Sequence, residues 1–162
     1  MEREQMVYIS AMQDSLKKKY GLLEKILAWT EKQKDLLSGQ DLDIGAFEEI
    51  LDAKEALIRQ VLELDQGFQR IYVKIKNDLE ENKQEYKPRI LEMQNLIRQN
   101  TDLGVRIQAI EQGNKRKFEE LAARKRQEIQ GFRLNNRTTD MYAKHLANQH
   151  QEGQSYFLDK KK

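Results

Sequence analysis

Apolar side chains recur between residues 47 and 79 with the spacing of a long amphipathic helix. Alternate steps of three and four residues produce one stripe: Phe47, Ile50, Lys54, Leu57, Val61, Leu64, Phe68, Ile71 and Ile75. This 3.5-residue period continues for about four heptads, with Lys54 as its polar interruption. A helix cannot bury so long a stripe by itself, so the pattern predicts partner helices on both sides of this middle helix. Lys54 is expected to snorkel or to pair with a carboxylate from the first helix.

The segment before this stripe carries the same period. Positions seven residues apart are apolar or small: Ile9, Leu16, Leu23, Thr30 and Leu37. The pattern predicts a first helix over residues 3–37, and Ser38-Gly39 has the chemistry of a helix C-cap. Asp41 or Asp43 would cap the second helix, which is predicted over residues 44–86. A connection this short makes the two helices antiparallel neighbours.

A third helix is predicted over residues 88–130. The residue before a proline is steered away from helical geometry, so a break or sharp kink is expected at Lys87-Pro88. The third stripe is less regular: Leu96, Asn100, Leu103, Ile107, Ile110, Asn114, Phe118 and Leu121. Its asparagines lower stability but favour one register. Residues 1–130 are therefore predicted to form an all-α, elongated antiparallel bundle of three long helices with coiled-coil-like packing.

The pattern changes after residue 130. Residues 131–162 have no sustained helical period and are predicted to form an irregular or disordered, flexible C-terminal tail. Leu146, Tyr156 and Phe157 are isolated apolar side chains in this polar segment, and such residues often anchor a tail to a partner. The alternative is an inert, frayed terminus.

Composition supports elongated helices and limits the chemistry. Of 162 residues, 35% are charged and 7% aromatic, and cysteine is absent, which excludes disulfides and thiolate metal sites. No apolar run has the length of a membrane span and no secretion signal precedes the first helix, so we expect a cytoplasmic protein without membrane insertion.

Charge is distributed unevenly between the two halves of the chain. Residues 1–86 hold 13 Lys and Arg against 18 Asp and Glu, a net −5, and residues 87–162 hold the remaining 16 against 9, a net +7. A basic half could contact nucleic acid. That interpretation is disfavoured, because Arg116, Arg124 and Arg126 are interspersed with carboxylates such as Glu119 and Glu128, whereas a phosphate-binding face usually lacks them.

The sequence offers little for catalysis. His145 and His150 lie five apart without accompanying ligands, and no Gly-rich phosphate-binding loop occurs. Carboxylate pairs such as Glu48-Glu49 lie on predicted exposed faces, where water screens them. We therefore expect a protein that is not an enzyme and has no catalytic residues, cofactor, metal site or small-molecule substrate.

Several stretches resemble the FlgN-type flagellar export chaperones. The run from Lys34 to Asp43, continued from Glu48 to Leu57, is similar to the helix, turn and Lys-x-x-Leu pattern of that family. The stretch from Ile97 to Leu103 resembles its Asn-rich third-helix segment, and Met141-Tyr142 resembles the hydrophobic-Tyr pair of its C-terminal tail. The resemblance extends over most of the chain through low-specificity helical patterns.

The resemblance implies a protein that keeps hook-associated proteins, which form the hook-filament junction, unassembled in the cytoplasm and escorts them to the flagellar type III export gate. A chaperone helix can cover the apolar face of a client's terminal helix. The predicted client contacts are on the third helix: Ile107, Ile110, Phe118, Leu121 and Ile129. Tyr142 is the candidate anchor for the export gate. The five contacts would instead be core residues if the third helix packs fully against the hairpin.

Two other functions compete with this one. The stripes could mediate homo-oligomerisation of a structural coiled-coil adaptor, and a homodimer is compatible with either interaction role. The basic half could bind nucleic acid, which is the less favoured alternative.

Overall fold

The computed structural model describes residues 2–124, which form three long helices. They are α1 (Glu2–Leu37), α2 (Ile44–Glu81) and α3 (Lys83–Arg124). No strand occurs in this part of the chain. The predicted all-α bundle of three helices is confirmed.

The connection between α1 and α2 uses the predicted capping residues. The chain leaves the helix after Leu37, where the Ser38 amide and hydroxyl both donate to the Asp35 carbonyl. Asp43 then caps α2, because its Oδ1 accepts a hydrogen bond from the Ala46 amide at 3.1 Å. This bond satisfies one of the free amides at the start of α2.

The break between α2 and α3 lies at Asn82, so the prediction of a break at Lys87-Pro88 is wrong. The Asn82 side chain donates to both the carbonyl and the carboxylate of Asp78 and closes the last turn of α2. Pro88 lies inside α3 instead. In the second turn its missing amide removes one hydrogen bond, to the Gln84 carbonyl, and packing of the neighbouring Tyr86 and Ile90 in the core offsets that loss.

The interior consists of three apolar blocks stacked along the bundle. Representative side chains are Met12, Phe68 and Met93 in the first block, Ile26, Ile58 and Ile107 in the second, and Leu37, Phe47 and Phe118 in the third. Residue numbers rise along the blocks in α1 and α3 but fall in α2. Successive helices are therefore antiparallel, and α1 runs parallel to α3.

The first helix occupies the central position. Both α2 and α3 pack along the length of α1, whereas the backbones of α2 and α3 approach each other at few points. Side chains also join these two helices, because the stacked rings of Phe47 and Phe118 have centroids 4.9 Å apart. The expectation that the middle helix is the one covered from both sides is wrong, because α1 fulfils that role.

The core face of α2 is displaced from the predicted stripe. Buried positions follow steps of four and three: Phe47, Leu51, Lys54, Ile58, Val61, Asp65, Phe68, Tyr72, Ile75 and Leu79. The predicted alternates Leu57, Leu64 and Ile71 are half-buried at the edge of this face. The fourth alternate, Ile50, is buried as predicted. The other three are one residue away from the true face, which uses Ile58, Asp65 and Tyr72 instead.

Candidate functional site

A buried ion pair separates the first two apolar blocks. Lys19 of α1 lies 3.0 Å from an oxygen of Asp65 of α2, and both side chains are only 3% exposed. Asn100 of α3 is buried in the same region and donates to the carbonyl of Leu16. Each helix thus contributes a polar group here. We call Lys19, Asp65 and Asn100 the first polar layer.

A larger polar network separates the second and third blocks. Lys54 of α2 forms an ion pair with Glu111 of α3 and donates to Gln33 Oε1 of α1 at 2.9 Å. Asn114 donates to the Thr30 carbonyl and to Gln33 Oε1. These five residues form the second polar layer, which joins all three helices. Lys54 was expected to snorkel or to find a carboxylate on the first helix, but its carboxylate comes from α3 and the first helix supplies an amide.

Burial changes the acid-base properties of Lys54. Its side chain is 3% exposed, and this desolvation lowers the pKa of Lys54 from 10.5 to about 7. The neighbouring Glu111 carboxylate favours the charged form and opposes the shift. A lysine with a lowered pKa is a common catalytic group, but the ammonium of Lys54 is buried against Glu111 of α3 and Gln33 of α1. Its position therefore supports a structural role.

The predicted client contacts occupy two kinds of environment. Ile107, Phe118 and Leu121 are buried in the apolar blocks, so the closed bundle does not present them to a partner. Ile110 is half-buried and lines a surface groove. Of the other predicted contacts and anchors, none lies within the described residues: Ile129, Tyr142, Leu146, Tyr156 and Phe157.

The groove that contains Ile110 lies between α1 and α3. We call it the α1–α3 groove, and its volume is about 500 Å³. It is lined by three residues of α1 and its C-terminal flank and by five of α3: Lys34, Leu37, Ser38, Ala109, Ile110, Gly113, Asn114 and Lys117. Two lysines stand at its edges, no carboxylate lines it, and α2 contributes nothing to it.

A second groove lies between α1 and α2. This α1–α2 groove has a volume of about 400 Å³ and is lined by Lys18, Gly21, Leu22, Lys25, Gln60, Glu63 and Leu64. Like the first groove, it contains a glycine from the middle of a helix. Its lining includes both signs of charge, because Glu63 faces the same opening as the two lysines.

The sequence alone shows Gly21 and Gly113 only as positions that weaken a helix. A mid-helix glycine costs about 1 kcal/mol relative to alanine, so its presence calls for a packing reason. No such reason lies within the described chain, since a Cβ added at Gly21 or Gly113 would meet no atom within 4 Å beyond its own helical turn. Both glycines instead leave the grooves open.

The described residues contain no group of three or more His, Asp or Glu side chains placed to hold a metal ion. None of the three helices is long and apolar enough to cross a membrane. His145 and His150 lie beyond the described part of the chain.

Comparisons with known proteins assign no family. No family model, curated protein or solved structure matches this chain.

Proposed function

We propose that this protein is a non-catalytic, FlgN-type export chaperone that acts in the cytoplasm. It binds the terminal helix of a hook-associated protein, prevents premature assembly and delivers the client to the flagellar type III export apparatus. Tyr142 is the proposed contact with the export gate.

The observation that carries this proposal is the α1–α3 groove. Its walls are two parallel helices, and its lining is largely apolar through Leu37, Ala109 and Ile110. Grooves of this kind accept the apolar face of an amphipathic helix. Among the predicted client contacts in the described chain, Ile110 is the one that such a helix reaches without disturbing the bundle.

The use of the apolar stripes favours client binding over the adaptor alternative. The apolar stripes of α2 and α3 are buried against α1 of the same chain. Among the residues that the structure describes, four large apolar side chains are more than 45% exposed, and they are spread over the three helices: Val7, Val73, Leu91 and Val105. Scattered exposed residues are normal on soluble proteins and do not form the continuous seam that a coiled-coil oligomer needs.

The surroundings of the basic residues on α3 favour client binding over nucleic-acid binding. Arg106 lies 3.8 Å from Glu31 of α1, so a carboxylate is close to this cation. A phosphate chain approaching this face would meet negative charge as well as positive.

Co-purification with hook-associated proteins tests the proposal. The full chain should form a 1:1 complex with a client or with a peptide of its terminal helix, measured by calorimetry and sedimentation velocity. A client whose terminal helix is deleted should not bind. Stable self-association without any client binding would support the adaptor instead, and strong salt-dependent binding to DNA or RNA would support the nucleic-acid alternative.

A further inference from the structure

The α1–α3 groove has features that specify the chemistry of its partner. It is open at Gly113, where an added Cβ would meet nothing within 4 Å beyond its own helical turn. A helix backbone can approach closest where the facing residue has no side chain. The groove residues on α3 extend from Ala109 to Lys117, about 12 Å along the helix, which matches two turns of a partner helix.

The charged residues that line the groove are all of one sign. Lys34 stands on the α1 side and Lys117 on the α3 side, and no carboxylate is among the lining residues. Lys34 forms no ion pair with any described residue, and the contact between Lys117 and Glu120 is long, at 3.8 Å, and solvent-exposed. An exposed pair of that kind contributes little, so both ammonium groups are available to a partner.

We propose that the α1–α3 groove binds an acidic amphipathic helix of another protein, with small and aliphatic side chains against Ile110 and Gly113 and carboxylates facing Lys34 and Lys117. The inference rests on the proposed function in one respect, that the protein binds client helices. It adds the binding surface and the charge of the ligand. A helix seated there would cover the α1–α3 pair on a face to which α2 contributes no residue.

Charge argues against the remainder of this chain as the occupant. Residues 125–162 contain eight Lys and Arg against four Asp and Glu, a net +4. A segment of that charge is repelled by a groove edged with lysines, whereas an acidic helix is attracted. The α1–α2 groove is the poorer site for the same acidic ligand, because Glu63 lies among its lining residues.

Two synthetic peptides of about three heptads test the inference with the full-length protein. Both carry the same Ala and Leu face, one with glutamates beside it and its twin with lysines. Fluorescence anisotropy should show at least about tenfold tighter binding of the glutamate peptide, a difference that weakens with salt. Exchanging both edge lysines, with Lys34→Glu and Lys117→Glu, should reverse the preference.

A matched pair of glycine variants locates the site. Gly113→Leu fills the α1–α3 groove and should weaken binding of the glutamate peptide at least about tenfold, while Gly21→Leu fills the other groove and should leave binding unchanged. Both replacements favour the helix, and circular dichroism verifies that each variant is folded.

Several outcomes would overturn the inference. They are no binding of the glutamate peptide, equal binding of both peptides, or a loss of binding in Gly21→Leu but not in Gly113→Leu. Sedimentation showing a wild-type dimer that Gly113→Leu dissociates would assign the groove to a second copy.

If client helices bind normally to Gly113→Leu, the assignment of the groove as the binding site is wrong while the proposed function stands. If the glutamate peptide binds as expected but no hook-associated helix does, the proposed function fails and the groove assignment stands.

Discussion

At the residue scale, the most informative side chain is Lys54. The chain buries this ammonium group between three helices and surrounds it with Glu111, Gln33 and Asn114. A buried ion pair gives little net stability, because desolvation of both charges opposes their attraction. The pair instead favours one register of the three helices, since a bundle shifted in register would leave one charge buried alone.

Removing one partner of this pair should therefore lower the free energy of unfolding far more than removing both. At pH 6 we expect Lys54→Met to lower the free energy of unfolding by about 3–5 kcal/mol, because Glu111 remains buried without its cation. Adding Glu111→Met should restore most of that loss. Urea denaturation measures both effects. Arg59→Met is the control, since the exposed Arg59–Glu55 pair should contribute less than about 1 kcal/mol. Additive losses in the double variant would contradict this account.

The lowered pKa of Lys54 also predicts a pH dependence. The folded protein releases this proton near pH 7, whereas the unfolded chain holds it up to about pH 10.5. Between these values the unfolded state binds more protons, so rising pH stabilises the folded state. We expect the free energy of unfolding of the wild type to rise between pH 7 and 10 relative to Lys54→Met/Glu111→Met. A falling or constant difference would show that Lys54 stays charged in the bundle.

At the scale of single helices, the core face of α2 decides at which positions a polar substitution unfolds the bundle. Ile58 is 1% exposed and packs in the second apolar block, while its neighbour Leu57 is half-buried. A sequence-based stripe through Leu57 ranks these two residues in the opposite order.

Aspartate substitutions should separate the two neighbours. Ile58→Asp buries an unpaired charge in the centre of the bundle and should abolish cooperative unfolding. Leu57→Asp can turn its carboxylate toward water and should leave a cooperative transition at reduced stability. Thermal melts followed by circular dichroism make the comparison. Equal loss of folding in both variants would refute the assigned face.

The start of α3 allows a second test at this scale. Pro88 cannot donate a hydrogen bond to the Gln84 carbonyl, so Pro88→Ala should restore one helical bond and raise stability by up to about 1 kcal/mol. The gain is limited because proline also restricts the unfolded chain. Lys87→Ala, at the exposed neighbouring site, should change stability by less than about 0.5 kcal/mol. A fall in melting temperature for Pro88→Ala would mean that α3 needs the proline geometry.

The sequence predicted the helices well but not their polar interior. Heptad spacing of apolar residues and the capping chemistry near Ser38 and Asp43 place α1 and the start of α2 correctly. Asp65 and Glu111 look like solvated surface residues, because their partners Lys19 and Lys54 are on other helices and only the fold brings them together. The break was predicted at Pro88 because proline disfavours helical geometry locally, whereas tertiary packing keeps α3 helical there.

The candidate site was less predictable than the fold. Ile110 was identified from its place in a stripe, yet it lines the groove because it lies beside the core positions rather than on them. From the sequence, Gly113 is only a residue that weakens its helix. Its role in keeping a groove open depends on which atoms surround it, and a single sequence does not contain that information.

At the scale of the whole molecule, α1 is the helix that both others need. Because α2 and α3 pack mainly on α1 and little on each other, α1 can detach only when both interfaces open. Native-state hydrogen exchange should therefore show the highest protection for buried turns of α1, around Leu23 and Ile26. Faster exchange there than in the middle of both α2 and α3 would contradict the central position of α1.

The parallel course of α1 and α3 fixes the two poles of this rod. Helix α1 begins at Glu2 near the break at Asn82, and α3 ends at Arg124 beside the α1–α2 connection, about 60 Å away by helical rise. Residues 125–162 therefore continue the chain from the pole nearest the α1–α3 groove. A fluorophore or affinity tag on the first residues would lie about 60 Å from the end of α3, at the pole opposite the groove.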